Sequence, residues 1–292
     1  MPTAVVRTVE DLRAAVGAAR RRGERVGVVP TMGAFHDGHL SLMRHARAEC
    51  GFLVTTLFVN PTQFAPHEDL TRYPRNFSDD LAGASAIGVD VLYAPTAQAV
   101  YPEGYSTYLT VEGITSGFEG AVRPHHFRGV ATVVAKLLNM VQADRAYFGE
   151  KDYQQLQVVR RLVRDLDMPV EVVACPTVRD RDGLALSSRN RYLSDVERAA
   201  APALYRSLLA AAECYRTGER AVRRLLAVAR GVIQGEPLLE LEYLELADAT
   251  ELTPPPDPLL GPTVLLVAAR LGRTRLIDNL VLGRDSGNEV YG

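Results

Sequence analysis

Lysine is almost missing from this chain. Of 33 basic residues only Lys136 and Lys151 are lysines, and the other 31 are arginines. The two cations are not interchangeable: an ammonium is a compact point charge, a guanidinium a broad planar fork. A chain so poor in lysine keeps it by chance or where a compact charge is needed. Lys136 lies in the helical stretch VVAKLLNMV and reads as incidental. Lys151 stands between Glu150 and Asp152, two residues past Gly149, and reads as less incidental. Cysteine is scarce too. Cys50, Cys175 and Cys214 are odd in number, far apart and form no CxxC pair. That argues against a disulfide framework and for reduced thiols in a cytoplasmic protein.

Other absences narrow the function. The net charge is −2 and no long basic stretch occurs, which speaks against wrapping nucleic acid. The N-terminus MPTAVVRTVEDLRAAV turns charged within a dozen residues and is no secretory signal. The longest apolar runs, such as Thr263 to Ala269, are too short to span a bilayer. No internal repeat is present. Neither GxxxxGK[ST] nor GxGxxG occurs, so neither a P-loop nor the usual dinucleotide fingerprint serves here. What remains is ordinary globular composition, 47% apolar and 23% charged over 292 residues. That is enough for one large domain or two modest ones.

Apolar runs alternate with helical periodicity through the first 175 residues. Strands are expected at 25–29, 52–59, 89–93, 145–148 and 170–175. Helices are expected at 8–22, 39–48, 77–87, 129–141 and 152–165. Such alternation implies a parallel sheet covered on both faces, with ligands beyond the carboxyl ends of the strands. After Cys175 the character changes. Ser194 to Glu197 matches a capping box opening one long helix to about Thr217. A helix at 221–233 and strands at 239–246, 263–269 and 275–282 follow. This half reads as a smaller α+β domain with its boundary near Pro176. The last residues, GRDSGNEVYG, are polar.

Four loops could carry chemistry. Pro30 to His39 (PTMGAFHDGH) has glycines at 33 and 38 for tight turns, and its histidines stand where a helix begins. Amides and dipole favour phosphate at such a helix start, and His36 and His39 could donate to a phosphate gaining charge. Zinc is a poorer reading, for the spacing is unusual and no ligand set is complete. In FVNPTQF, Asn60 and Gln63 could hydrogen-bond a small hydroxy acid, though alone the segment is no more than an Asn-Pro turn. In FGEKDYQQ, Lys151 could reach phosphates and Gln155 lies one turn into a helix; an ordinary charged helix start is the competing reading. In VRDRDGLALSSR, two serines and Arg189 could close over polyphosphate, or form a polar linker.

Together these loops resemble the pantothenate synthetase family. The segments VPTMGAFHDGHLSL, FVNPTQF, HFRGVATVVAKL, FGEKDYQQL and DGLALSSRNRYLS carry the likeness, in order, from Val29 to Ser194. The family is a HIGH-type nucleotidyltransferase, related in fold to class I aminoacyl-tRNA synthetases. HDGH stands for HIGH, and LSSRN for a mobile phosphate loop. Phe35 stands where a leucine is expected and changes no role. The resemblance implies an α/β, Rossmann-like doubly wound parallel sheet over residues 1–176. A smaller α+β domain over 177–292 would act as a lid, with a polar tail at 284–292. It implies ATP-dependent condensation of (R)-pantoate with β-alanine through pantoyl adenylate, releasing AMP and pyrophosphate. His39, His36 and Lys151 would be catalytic. ATP would be bound by Met32, Gly33, Ala34, Phe35, His36, Asp37, Gly38, His39, Gly149, Glu150, Lys151, Asp152, Val178, Leu186, Ser187, Ser188 and Arg189. Gln63 and Gln155 would bind pantoate, and Gln63 also β-alanine. Mg2+ would accompany ATP near Asp79 and Asp80. The partners would be these small molecules and a second copy of the chain, with no nucleic acid and no membrane. The alternatives are another HxGH-type nucleotidyltransferase and a non-catalytic nucleotide-binding protein.

Overall fold

The computed structural model describes residues 2–66 and 68–284, and the backbone of 290–291. Contacts divide the chain into two units. One is Met1–Glu150 with Gln154–Cys175; the other is Lys151–Tyr153 with Pro176–Gly292.

The first unit is built on six parallel strands: β1 (Ala4–Val6), β2 (Val26–Thr31), β3 (Phe52–Leu57), β4 (Val91–Tyr93), β5 (Arg145–Gly149) and β6 (Glu171–Cys175). Their order is β1-β4-β3-β2-β5-β6. Parallel strands need crossovers, which are α1 (Val9–Arg21), α2 (Asp37–Glu49), α3 (Phe77–Ile87), the single turns α4 (Ala97–Val100) and α5 (Glu119–Val122), α6 (His126–Val141) and α7 (Tyr153–Asp165). From β2 the chain winds outward through β3 and β4, then returns to lay β5 on the other side of β2. The strand order therefore reverses between β2 and β5, and the crevice beyond their carboxyl ends is where ligands bind in open α/β sheets. Thr8 caps α1 by accepting from the Asp11 amide at 3.1 Å, which contributes about 1 kcal/mol. Twelve of the 16 residues of α6 are buried, so it serves as a core helix rather than a surface one.

The second unit holds the short strand β7 (Val178–Arg179), the helices α8 (Asp195–Ala200), α9 (Ala203–Arg216) and α10 (Val222–Gln234), and the strands β8 (Leu239–Asp248), β9 (Thr263–Leu271), β10 (Thr274–Leu282) and β11 (Val290–Tyr291). An antiparallel sheet of order β10-β9-β8 forms its floor. One face of that sheet packs with Leu204, Leu208, Leu225 and Ile233 of α9 and α10 into a single apolar cluster.

The expected fold class is met: a doubly wound parallel sheet with a smaller α+β unit. Three features differ from the sequence reading. The long helix from Ser194 is two helices. The Ser194–Glu197 capping box opens α8, but Pro202 has no N–H to continue the ladder and instead begins α9. The strand β1 forms at the sheet edge on only three residues, too few to show a period. The polar tail lies outside the described residues except for Arg284 and for β11, which runs parallel to β7.

Candidate active site

The turn after β2 is shaped by a residue far off in sequence. Asp80 of α3 is 2% exposed, and its two carboxylate oxygens accept from the amides of Ala34 (2.9 Å) and Phe35 (2.7 Å). Ala34 is thereby held at φ 54°, in the left-handed region that a residue with a Cβ seldom enters. Gly33 precedes it at φ 85°, where an added Cβ would lie 2.9 Å from Asp80 Oδ2. The chain then drops into α2. His36 is its N-cap, and its Nδ1 accepts from the Gly38 amide at 3.2 Å. Acceptance at Nδ1 puts the proton of a neutral ring on Nε2, which makes that atom a donor. His39, in the first turn, packs against His36 with ring centroids 4.1 Å apart and the planes tilted by 40°. Two imidazoles thus stand together at the positive end of a helix that follows the central strand.

The second loop is a hydrogen-bonded knot. Asn60 is 1% exposed. Its Nδ2 donates to Gln63 Oε1 and Gly129 O, both at 3.1 Å. Its Oδ1 accepts from the Thr62 hydroxyl and the Tyr101 hydroxyl, both at 2.9 Å. Asn60 is thus fully engaged within the protein and acts by holding Gln63, not by meeting a ligand as the sequence suggested. Gln63 in turn sets its Nε2 3.1 Å from Met32 Sδ, a weak acceptor, so the amide donor faces the first loop. The Gln63 carbonyl is held by His126 Nδ1 at 3.1 Å and Arg123 Nη2 at 3.4 Å, with Arg123 paired to Glu68 at 2.7 Å. Burial and the Arg123 guanidinium push His126 down to about 4. Helix α6 can approach this loop only because residue 129 is glycine; a Cβ there would come within 2.5 Å of Thr62 O.

The paired glutamines at the start of α7 separate in role. Gln154 is 3% exposed and wholly structural: its Oε1 accepts from the Glu119 amide, and its Nε2 donates to Ile114 O and Gly117 O, all at 2.9 Å. Gln155, in the first turn of α7, is half-buried. Gly149, at the end of β5, has open space where a Cβ would be.

The remaining candidates belong to the second unit. Lys151 Nζ lies 3.8 Å from Asp152 Oδ1, a loose ion pair. Its carbonyl accepts from Asn279 Nδ2 at 2.9 Å. Val178 O accepts from the Leu186 amide at 2.9 Å, which closes the base of the loop that ends in Ser187, Ser188 and Arg189. Ser187 turns that loop by accepting from the Arg189 amide at 3.3 Å.

A match spans residues 4–281: the family model for pantoate-beta-alanine ligase. The chain belongs to that family. It is 54% identical over 281 residues to the pantothenate synthetase of Dinoroseobacter shibae, covering 96% of this chain and 100% of that one. It is 51% identical to a crystal structure of the Thermus thermophilus pantothenate synthetase, with a TM-score of 0.90 over 94% of this chain and 98% of that one. A Francisella tularensis pantoate-beta-alanine ligase, solved with beta-gamma ATP and beta-alanine, is 30% identical with a TM-score of 0.77 over 96% and 97% of the two chains. Membership makes the chain a pantoate-beta-alanine ligase rather than another nucleotidyltransferase or a non-catalytic nucleotide binder.

For such a ligase the structure corrects one residue and adds several. Asp80, expected near magnesium, has both oxygens on backbone amides and serves as the clamp of the HxGH turn. Asp79 is engaged with Asn76. Among the described residues no group of three or more His, Cys, Asp or Glu could hold a metal ion. The Ala34 and Phe35 amides are taken up by Asp80, so a nucleotide would meet other atoms of those residues. Lys136 is not incidental: its ammonium lies 4.5 Å from the Tyr105 ring centroid and 5.8 Å from that of Tyr101, the partner of Asn60. The role of Asp80 was misread, and those of Gly129 and Tyr101 went unread, because each acts on a loop dozens of residues away and no local pattern marks that.

Proposed function

We propose that the chain joins (R)-pantoate to β-alanine in two steps on one site. A carboxylate is a poor acyl donor because its leaving group would be oxide. Attack of a pantoate carboxylate oxygen on the α-phosphorus of ATP forms pantoyl adenylate and expels pyrophosphate. The β-alanine amine then attacks the acyl carbon, loses a proton, and releases AMP. No protein nucleophile is needed; orientation and charge stabilisation suffice. His36 and His39 donate to the phosphates, and Lys151 offsets charge growing on the departing pyrophosphate. Gln63 and Gln155 hold pantoate, and Gln63 also receives β-alanine. The observation that carries this reading is the Asp80-clamped turn that delivers two closely packed histidines to the N-terminus of α2.

Finer features belong to the same proposal. Residues 1–176 bind nucleotide and pantoate, and 177–292 act as a lid whose Val178–Arg189 stretch keeps water from the anhydride. Magnesium rides on the ATP phosphates: among the described residues no carboxylate cage is built, and this ion keeps its waters readily. A homodimer formed largely through the first unit rests on the resemblance alone. A cytoplasmic setting suits three free thiols, and among the described residues no helix is long and apolar enough to cross a membrane.

The test is isotope exchange. ATP and pantoate without β-alanine should support exchange of labelled pyrophosphate into ATP, and omission of pantoate should abolish it. Release of ADP without exchange would mean an acyl phosphate, and exchange that requires β-alanine would mean a concerted route. Either would sink the two-step reading.

A further inference from the structure

Adjacent residues on β10 brace the two cation-bearing segments of the second unit. Asp278 is 4% exposed and grips Arg179 through both oxygens, Oδ2 to Nη1 at 2.7 Å and Oδ1 to Nη2 at 3.0 Å. Arg179 is itself 1% exposed, lies with its guanidinium carbon 3.7 Å from the Tyr205 ring centroid, and donates to Gly183 O at 3.2 Å. It stands at the root of the hairpin that ends in Ser187, Ser188 and Arg189. Asn279, the next residue, donates from Nδ2 to the Lys151 carbonyl at 2.9 Å. Successive residues of a strand point to opposite faces, so β10 holds one segment on each side. Asp278 Oδ1 also accepts from the Asn279 amide at 2.8 Å, which ties the two grips together.

The placement is hard to explain by stability alone. Asp278 lies on the face of β10 that carries Leu276 and Leu280 toward the apolar cluster. A buried ion pair there adds little over a well-packed apolar pair, because desolvation offsets attraction. What it supplies is a fixed, two-pronged geometry. Gly183 shows how closely the hairpin is seated: an added Cβ would come within 2.5 Å of the Tyr205 ring.

We propose that Asp278 and Asn279 are positioning residues for adenylation: through Arg179 and the Lys151 carbonyl, they present the Ser-Ser-Arg loop and the Lys151 ammonium in one frame. This rests on the proposed role of Lys151 in that step. Neither residue touches substrate; each acts through the segment it holds.

The test uses the full-length enzyme and pyrophosphate exchange, with thermal melting in parallel. Asn279→Ala should slow exchange about 10- to 100-fold, the scale of a misplaced catalytic group, with the KM for pantoate unchanged. The deciding comparison is a double-mutant cycle with Lys151→Ala. If Asn279 acts through Lys151, adding Asn279→Ala to Lys151→Ala costs no further rate. Equal fold-losses in both backgrounds would make Asn279 a general structural residue and overturn the proposal. Asp278→Asn, of the same shape but uncharged, should raise the KM for ATP and spare that for pantoate; equal rises in both would overturn its part. Should that variant fail to fold, the Asn279 cycle still decides. Wild-type exchange by Lys151→Ala alone would overturn the role of Lys151, whereas an impaired Lys151→Ala with additive losses overturns only the positioning.

Discussion

At the scale of single residues, the chemistry predicts unequal losses. His39→Ala should leave the fold intact and lower turnover by ~10²–10³, the usual cost of removing one transition-state donor. Steady-state rates on a variant with a wild-type circular dichroism spectrum check this, and near-normal turnover would end the assignment. Lys151→Arg keeps the charge but replaces a compact ammonium with a wide fork, so ATP affinity and rate should both fall; unchanged values would show that shape is immaterial there. His126 gives a pH signature. The unfolded chain takes up its proton near pH 6.5, the folded chain only near 4. The stability gained from the neutral ring is therefore full above pH 6.5 and is lost as the pH falls toward 4, by at most roughly 1.4 kcal/mol per unit. Melting curves between pH 6.5 and 5, above the range where carboxylates titrate, should slope downward. The slope should flatten in His126→Gln, and an equal slope in that variant would exclude His126 as its source.

At the scale of elements, Gly129 governs how near α6 comes to the Asn60–Gln63 loop. Gly129→Ala would force backbone against backbone, so the loop must shift. The expected result is a raised KM for pantoate with a smaller change in that for ATP; equal changes would argue against a local effect. Elements of this size were readable in the sequence where a period had room to show itself. The strands ending at Leu57, Gly149 and Cys175 are apolar runs, and α3 begins and ends at the residues expected of it. Of the strands of two or three residues, β4 was expected from the run 89–93, but β1, β7 and β11 have no period to read and form where a partner edge exists. Three of the four candidate loops stood out because glycine, histidine, serine or lysine gather there in short stretches, whereas FVNPTQF has none of these and drew notice only through Asn60 and Gln63. The supports of the loops did not stand out. Asp80, Tyr101 and Asp278 look like any other residue of their types until the fold brings them to the loops they hold.

At the scale of the whole molecule, light scattering on the purified enzyme should give twice the chain mass, 31.9 kDa each; a monomer would remove the dimer from the proposal. The assignment of Lys151–Tyr153 to the second unit has a consequence for how the protein is made. Translation runs in one direction, and this short stretch must wait for its supports. The Tyr153 hydroxyl donates to Ala249 O at 2.7 Å, 96 residues downstream, and Asn279, which holds the Lys151 carbonyl, follows by 128. A nascent chain long enough for all six strands of the parallel sheet still lacks Asn279, which holds the Lys151 carbonyl. The strands of the larger unit are thus all synthesised before the side chain that fixes the Lys151 carbonyl exists, which sets the order in which the two are completed.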